Sequence, residues 1–160
     1  NSYHLSKISS ENICKMYSKI YKINITILRI FNVYGKKQSS DFLIPSIIKQ
    51  IENNKKITVK NLDNKRDYIY IEDVCASIIS ATKKIHKFEI IEIGTGISSS
   101  VKKVIDVIQK IKKSNLKIFN KKKISTSEIK NSKANTENAK KILGWQANNS
   151  LQVGLSKILK

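Results

Sequence analysis

Arginine and proline are the scarce residues of this 160-residue chain, which has a single proline and only two arginines, Arg29 and Arg66. Its net charge of +19 is therefore carried almost entirely by lysine. Arginine is the side chain best suited to bidentate contacts with phosphates and base edges, so its scarcity argues against a dedicated nucleic-acid reader. The abundance of Lys, Ile and Asn indicates the codon bias of an AT-rich genome, and we expect no nucleic-acid partner.

Cysteine is also rare, and no apolar run approaches the ~20 residues of a membrane-spanning helix. Cys14 and Cys75 stand far apart without metal-ligand spacing, which favours reduced thiols in a cytoplasmic protein over a disulfide. His4 and His86 likewise show no metal-ligand spacing, so we expect no metal site. Because no long apolar run is present, we also expect no membrane association. The chain begins without Met and without a signal-peptide layout, and we expect position 1 to lie inside a longer protein.

Helical and strand-like segments alternate along the chain, which predicts an α/β fold with a mainly parallel sheet. Apolar residues at helical spacing predict helices at 4–21, 43–51, 73–84 and 101–111, with shorter ones at 136–143 and from Leu151. Short β-rich runs predict strands at 25–30, 57–60, 67–71, 88–93 and 116–119. Ser98 to Ser100 offer cap oxygens to the helix that begins at Val101.

Tyr3 and Lys7, at the start of the first predicted helix, are the first candidates for chemistry. Residues four apart share a helix face, and an ammonium ion there stabilises a phenolate. Such a tyrosine can take or give the proton of a sugar hydroxyl while hydride moves to or from a nicotinamide. The pattern is short, and taken alone it is more typical of a surface pair.

Three further segments follow Tyr3 and Lys7 in a definite order. They are Arg29-Ile30-Phe31-Asn32-Val33-Tyr34-Gly35, then Arg66-Asp67-Tyr68-Ile69-Tyr70-Ile71-Glu72-Asp73, then Leu143-Gly144-Trp145 with Leu151, Gly154 and Leu155. With these motifs the chain resembles the C-terminal portion of the extended short-chain dehydrogenases, specifically the NAD-dependent nucleotide-sugar epimerase/dehydratase family. Each motif is weak separately, whereas the four in order span almost the whole chain.

The resemblance implies roles for five side chains. Tyr3 is expected to be the catalytic acid/base, while Lys7 tunes it and holds the nicotinamide ribose. Phe31 is expected to lie against the nicotinamide end of NAD, the cofactor we expect rather than NADP. Asn32 is expected to hydrogen-bond either the diphosphate or the sugar of the nucleotide-diphosphate sugar, and Arg66 to pair with the diphosphate.

The resemblance also implies the architecture, which is the last part of a Rossmann-type doubly wound parallel sheet plus a small α/β substrate-binding lobe. Residues 1–33 and about 70–96 are expected to complete the NAD-binding Rossmann domain. Residues from about 34–69 and 97–160 are expected to form the substrate-binding lobe. The complete protein is expected to be a homodimer through a helix pair that includes residues 4–21.

The implied reaction is 4-epimerisation through a transient 4-keto sugar. Phe31-Asn32-Val33 resembles epimerases and reductases more than dehydratases, which tend to carry Ser-Asn-Asn there. A 4,6-dehydratase, a 4-keto reductase and a truncated, non-catalytic remnant of the fold are the alternatives.

Some residues of these segments are expected to have structural roles instead. Arg29 is expected to pair with a carboxylate, Asp73 to add charge at the start of a helix, and Trp145 to pack. Gly94-Thr95-Gly96 lacks the third glycine of a dinucleotide fingerprint and is expected to form a turn.

The alternative for Arg66 is a salt bridge with Asp67. The chain also departs from the family pattern at three positions, with Lys36 and Ala147 where the family has proline and Asn135 where it commonly has aspartate.

The sequence contains no glycine-rich dinucleotide motif, and without that turn at a helix N-terminus a pyrophosphate has no obvious seat. We therefore predict that the chain alone does not bind NAD with useful affinity. Titration of NAD, followed by the fluorescence of Trp145 or by calorimetry, checks this prediction. Tight, saturable binding would contradict it.

Overall fold

The computed structural model describes residues 2–54, 56–84, 87–121 and 129–160, so His86 lies outside the described residues. The helices are α1 Ser2–Tyr21, α2 Leu43–Glu52, α3 Ile71–Thr82, α4 Val101–Lys112 and α5 Leu151–Leu159, and a π-helical turn spans Ala139–Leu143. The strands are β1 Ile25–Ile30, β2 Asn32–Tyr34, β3 Ile57–Val59, β4 Lys65–Tyr70, β5 Phe88–Ile93, β6 Ser98–Ser100, β7 Ile118–Asn120 and β8 Asn131–Ser132. The predicted alternation of helices and strands is confirmed.

Most of the strand pairs are parallel, as the α/β pattern predicts. β1 pairs with β5 from Ile25 opposite Phe88 to Ile30 opposite Ile93. β2 pairs with β4, and β3 with β7, in the same sense. β4 is the most connected strand, because it also pairs with β8 in parallel and with β6 antiparallel.

Three short strands, β2, β6 and β8, are absent from the sequence prediction. Each has only two or three residues, too few to show the alternation that marks a strand. Ser98 to Ser100 form β6 and do not merely cap a helix, although Ser100 does cap α4 by accepting a hydrogen bond from the Lys103 N–H at 3.1 Å. The helix predicted at 136–143 is confirmed as a helical stretch at 137–143, which is π-helical over Ala139–Leu143 and ends at Gly144 with a φ of 64°.

Two apolar cores lie on either side of β4. Successive residues of a strand point to opposite faces, so Tyr68 and Tyr70 pack into one core while Ile69 packs into the other. The larger core joins α2, α4 and α5 to β2 and β3. The smaller core lies among α3, β5 and the π-helical turn, and it includes Trp145, whose predicted packing role is confirmed.

A fully buried carboxylate, that of Asp67, ties two distant segments to β4. Its Oδ1 accepts hydrogen bonds from the N–H of Thr95 at 2.9 Å and from the Thr95 hydroxyl at 2.6 Å. Its Oδ2 accepts from the N–H of Gly96 at 2.9 Å and of Ala134 at 3.2 Å. Gly94 leaves room for this approach, since a Cβ there would lie 2.7 Å from Oδ2 of Asp67. The turn predicted at 94–96 is confirmed.

α1 is fixed to β1 by an ion pair and by a buried serine. Arg29 donates from Nε to Oε1 of Glu11 at 2.7 Å and from Nη2 to Oε2 at 2.5 Å, which confirms the predicted pairing with a carboxylate. The Ser18 hydroxyl lies 2.8 Å from two backbone carbonyls, those of Ile23 and Lys87. These contacts set the direction of the helix that begins with Tyr3 and Lys7.

The predicted apolar stripe of α1 does not pack into either core. Its exposed members are Leu5, Ile8, Ile13, Met16, Tyr17, Ile20 and Tyr21. Across the described ranges, no helix is long and apolar enough to cross a membrane.

We predict that Asp67→Asn lowers the free energy of unfolding by about 2–4 kcal/mol, because the amide nitrogen faces N–H donors where an oxygen accepted them. Urea unfolding of the variant and the unaltered chain measures this difference. The matched control is Asp106→Asn, whose carboxylate is about half exposed in its pair with Lys102. We expect the control to cost less than about 0.5 kcal/mol, and equal losses in the two variants would contradict the role of Asp67.

Glu11→Gln should lower stability by less than about 1 kcal/mol at neutral pH, because Arg29 is about half exposed. The hydrogen bond from Arg29 lowers the pKa of Glu11 below its ordinary value, although burial opposes the shift. A lowered pKa in the folded state means that the contribution is present above the unfolded pKa of about 4.3 and is lost as pH falls through the folded value.

Urea unfolding of both proteins between pH 7 and pH 3 tests this, and the difference between them should shrink toward the acid end. Glu137→Gln is the control, since the Glu137 side chain forms no ion pair with the described residues. A difference in the free energy of unfolding that grew as the pH fell would contradict the stabilising role of the Glu11 carboxylate.

Candidate functional site

A cavity of about 450 Å³ lies where β2 and β4 meet the start of α2 and the end of β3. Its polar lining comes from both strands and from the segments that follow β2 and β3. These polar residues are Asn32, Tyr34, Gln38, Asp41, Ser46, Thr58, Lys60, Asn61, Asn64, Arg66 and Tyr68.

Asn32 and Arg66, the two predicted substrate-binding residues, both line this cavity. Parallel pairing of β2 with β4 sets Asn32 opposite Tyr68. Arg66 lies two residues before Tyr68 and therefore on the same face of β4. The Asn32 amide also donates to the backbone carbonyl of Asp67 at 3.2 Å, which fixes its side chain at the junction of the strands.

The guanidinium of Arg66 is partly buried and has few partners within the chain. Its Nη1 donates to the backbone carbonyl of Lys65 at 2.8 Å. The oxygens of Asp67 are taken by backbone and hydroxyl donors, and Arg66 forms no ion pair with any described carboxylate. The alternative of an Arg66–Asp67 salt bridge is therefore wrong, and most of the five guanidinium donors remain available to a ligand.

The start of α2 adds to the positive potential of the cavity. Phe42, Leu43 and Ile44 line the wall at this helix N-terminus, and the N-cap residue Phe42 provides no side-chain cap. The first N–H groups of a helix carry partial positive charge. Arg66 and Lys60 line the same cavity, where Asp41 is the one carboxylate of the described lining, so the positive groups outnumber it and favour an anion.

The tyrosines of the wall act as neutral hydroxyls. Burial raises the pKa of Tyr68 to about 12, with Arg66 opposing the shift, and burial also raises the pKa of Tyr34. Tyr34 donates to the backbone carbonyl of Leu151 at 3.4 Å. A raised pKa keeps both phenols protonated near neutral pH, where they can donate hydrogen bonds to a ligand.

Tyr3 and Lys7 lie on α1 and do not line the cavity. The Lys7 Nζ atom is 5.4 Å from the centroid of the Tyr3 ring, so one helical turn brings the two side chains together. Tyr3 is 63% exposed, which leaves its phenol accessible to a ligand.

Phe31 is the single residue between β1, which contacts α1, and β2, which lines the cavity. It is partly buried and donates its N–H to the Ile93 carbonyl at 2.9 Å. The structure thus groups Asn32 with Arg66, groups Tyr3 with Lys7, and sets Phe31 on the chain segment between the two groups.

Asp73 has a structural role, as the sequence predicts, and the role extends beyond charging the first turn of α3. Its buried carboxylate accepts from the N–H groups of Asn148 and Asn149, each at 3.1 Å, and from the Asn149 amide at 2.9 Å. Asn135, one of the departures from the family pattern, accepts from the Glu137 N–H at 3.1 Å and so starts the turn that follows.

Several cavity residues, including Asn64, Thr58 and Lys60, are not singled out by the sequence motifs. Asn64 has a signal that could have revealed it, because it stands two residues before Arg66, directly ahead of β4. The predicted strand begins at Asp67, whereas β4 begins at Lys65, and this difference hides the alternation.

The described ranges contain no group of three or more His, Cys, Asp or Glu side chains that could hold a metal ion. Cys14 and Cys75 are both free thiols.

Known proteins share this fold and sequence over about half their length. The chain is 33% identical to CDP-abequose synthase of Salmonella muenchen, covering 99% of this chain and 55% of that protein. Its structure matches UDP-glucuronic acid 4-epimerase of Bacillus cereus, solved with UDP-glucuronic acid and NAD, at a TM-score of 0.88 and 30% identity, covering 98% of this chain and 50% of that one. UDP-glucose 4-epimerase of Thermotoga maritima, at 23% identity, shares the fold with a TM-score of 0.91 and coverages of 98% and 52%.

These relatives fit the Rossmann-type α/β fold and the nucleotide-sugar motifs of the sequence. The model of the GDP-mannose 4,6 dehydratase family matches residues 1–158, and the chain belongs to that family of extended short-chain dehydrogenases.

Proposed function

We propose that the protein containing this chain is an NAD-dependent nucleotide-sugar 4-epimerase, which inverts C4 through a transient 4-keto sugar. One observation carries the proposal: Asn32 and Arg66, from separate segments, line a single cavity with a positive wall. A nucleotide-diphosphate sugar has the anionic centre and the flanking hydroxyl groups that such a wall recognises. The epimerase from Bacillus cereus, at 30% identity, supports epimerisation as the reaction.

Arg66 is proposed to bind the diphosphate, because its planar fork can make two parallel hydrogen bonds to phosphate oxygens. The N–H groups at the start of α2 add to this attraction. The Asn32 amide donates one hydrogen bond to the Asp67 backbone carbonyl. Its second N–H and its oxygen are proposed to hydrogen-bond the sugar nucleotide. Binding through the non-reacting diphosphate orients the sugar for reaction.

Tyr3 is proposed to accept the proton of the C4 hydroxyl as the ketone forms, and to return it when the ketone is reduced. Lys7, one turn further along α1, stabilises the phenolate and holds the nicotinamide ribose. The exposed, adjacent pair fits this role, and Phe31 would lie at the nicotinamide end. When bound, NAD supplies the hydride acceptor for C4. Reduction of the ketone from its opposite face gives the epimer.

A 4,6-dehydratase is the second candidate, because the matching family carries that activity in its description. The product separates the two readings, since a dehydratase eliminates water to leave a 4-keto-6-deoxy sugar while an epimerase conserves the mass. Incubating the complete protein with a panel of nucleotide sugars and resolving the products by chromatography and mass spectrometry identifies both reaction and substrate. No product from any of them would favour a non-catalytic remnant.

The complete protein is also proposed to be a cytoplasmic homodimer in which α1 takes part. The exposed apolar stripe of α1 supports this, because it packs into neither core. The supposed division into a Rossmann domain, residues 1–33 and about 70–96, and a substrate-binding lobe belongs to the same proposal.

We predict that Tyr3→Phe in the complete protein abolishes turnover and leaves substrate affinity within about threefold, because the hydroxyl is needed only for proton transfer. Product formation and calorimetric binding measure the two effects. Ser10→Ala, which likewise removes one hydroxyl from an exposed residue of the same helix but lies outside the apolar stripe, is the control and should keep full activity. Turnover of Tyr3→Phe near the unaltered rate would show that the acid/base role is wrong.

A further inference from the structure

The side-chain amide of Asn64 is buried on the wall of the cavity without a hydrogen-bond partner among the described residues. Only 7% of the residue is exposed. Its backbone is fixed, because its carbonyl accepts from the Val101 N–H at 3.1 Å at the start of α4. The amide is thus held in place by its backbone, while its own donor and acceptor bond no side chain or backbone group in the described part of the chain.

Asn64 differs in this respect from the other buried polar side chains of the described chain. Ser18, Asp67, Asp73 and Ser77 all form hydrogen bonds within the protein. Buried polar side chains are nearly always satisfied by protein or by water, so an exception on a cavity wall marks a group that can bond whatever fills the cavity.

The register of β4 sets Asn64 in line with the two proposed substrate-binding residues. Asn64 directly precedes β4, and the hydrogen bond from the Val101 N–H to its carbonyl extends the antiparallel register of β4 with β6 by one residue. Asn64, Arg66 and Tyr68 therefore line the cavity from alternate positions, and Asn32 lies opposite Tyr68. At about 3.3 Å per residue, Arg66 stands roughly 7 Å from Asn64 on one side and from the Asn32 level on the other. The cavity therefore presents Asn32, Arg66 and Asn64 in that order.

A nucleotide sugar presents its groups in the order sugar, diphosphate, nucleoside. If Asn32 contacts the sugar end and Arg66 the diphosphate, the next group along is the nucleoside. Resting on the proposed function, we infer that Asn64 is a specificity residue that hydrogen-bonds the nucleoside of the substrate. An amide offers a donor and an acceptor side by side, which matches the polar edge of a nucleobase or the hydroxyl groups of a ribose.

The experiment measures the affinity of UDP, as the probe nucleotide, for the whole chain by calorimetry. Asn64→Leu removes the amide at similar size and should weaken UDP binding about tenfold, the loss expected for one hydrogen bond. Inorganic pyrophosphate, measured as a competitor of UDP, should bind the variant as well as the unaltered chain, because Arg66 is untouched. Arg66→Ala should weaken both ligands.

Thermal unfolding without nucleotide separates recognition from folding. Because the amide has no partner within the described chain, Asn64→Leu should unfold at the same temperature or a higher one. Asn115→Leu is the matched control, since Asn115 is exposed and lies outside the cavity. If the leucine variant fails to fold, Asn64→Ala removes the same amide without added bulk.

The possible outcomes distinguish failure of the Asn64 inference from failure of the proposed function. UDP affinity unchanged in a folded Asn64 variant would overturn the inference and leave the proposed function standing. Equal losses for UDP and pyrophosphate would also overturn it, since the effect would then lie on the phosphates. Failure of the chain, and of the complete protein that contains it, to bind any nucleoside diphosphate would overturn the proposed function and this inference together.

Discussion

The buried carboxylate of Asp67 is the constraint on which the cavity depends. A charge without exposure to water persists only when its oxygens are satisfied, and here the N–H groups of Thr95, Gly96 and Ala134 satisfy them. This arrangement holds the turn after β5 and the segment before the π-helical turn against β4. It also leaves Arg66 without an acidic partner, and the Asp67 backbone carbonyl receives the Asn32 amide. Asp67 therefore fixes the Asn32 amide through its backbone, and its carboxylate does not compete for the Arg66 guanidinium.

Each of the two arginines stands where the planar geometry of its guanidinium matters. Arg29 uses its planar fork on Glu11, where two parallel hydrogen bonds anchor α1, and Arg66 keeps its fork for the cavity. A lysine could supply the charge at either position but not the paired geometry. The many lysines are mostly exposed and satisfy no comparable requirement, which agrees with a compositional origin for the net charge.

The long elements could be predicted from sequence because their patterns repeat within one segment. α4 shows its apolar face at Val101, Val104, Ile105 and Ile108, all of which are buried. β2 could not be predicted, because three residues show no period and its pairing partner lies more than thirty residues away. Asn32 and Arg66 could be nominated by their motifs, but only the pairing of β2 with β4 shows that they line the same cavity. Asn64 was not identified from the sequence, because it precedes β4, which begins two residues earlier than the predicted strand. Its place on the cavity wall is visible only in the structure.

The cavity draws its lining from residues 32–101 and takes none of it from α1. Under the proposed function, recognition of the nucleotide and transfer of the proton therefore fall to separate parts of the chain. A change at Asn64 or Lys60 alters the wall without altering the helix that carries Tyr3 and Lys7. Substitutions in the wall can thus change which ligand the cavity accepts while the pair on α1 stays as it is.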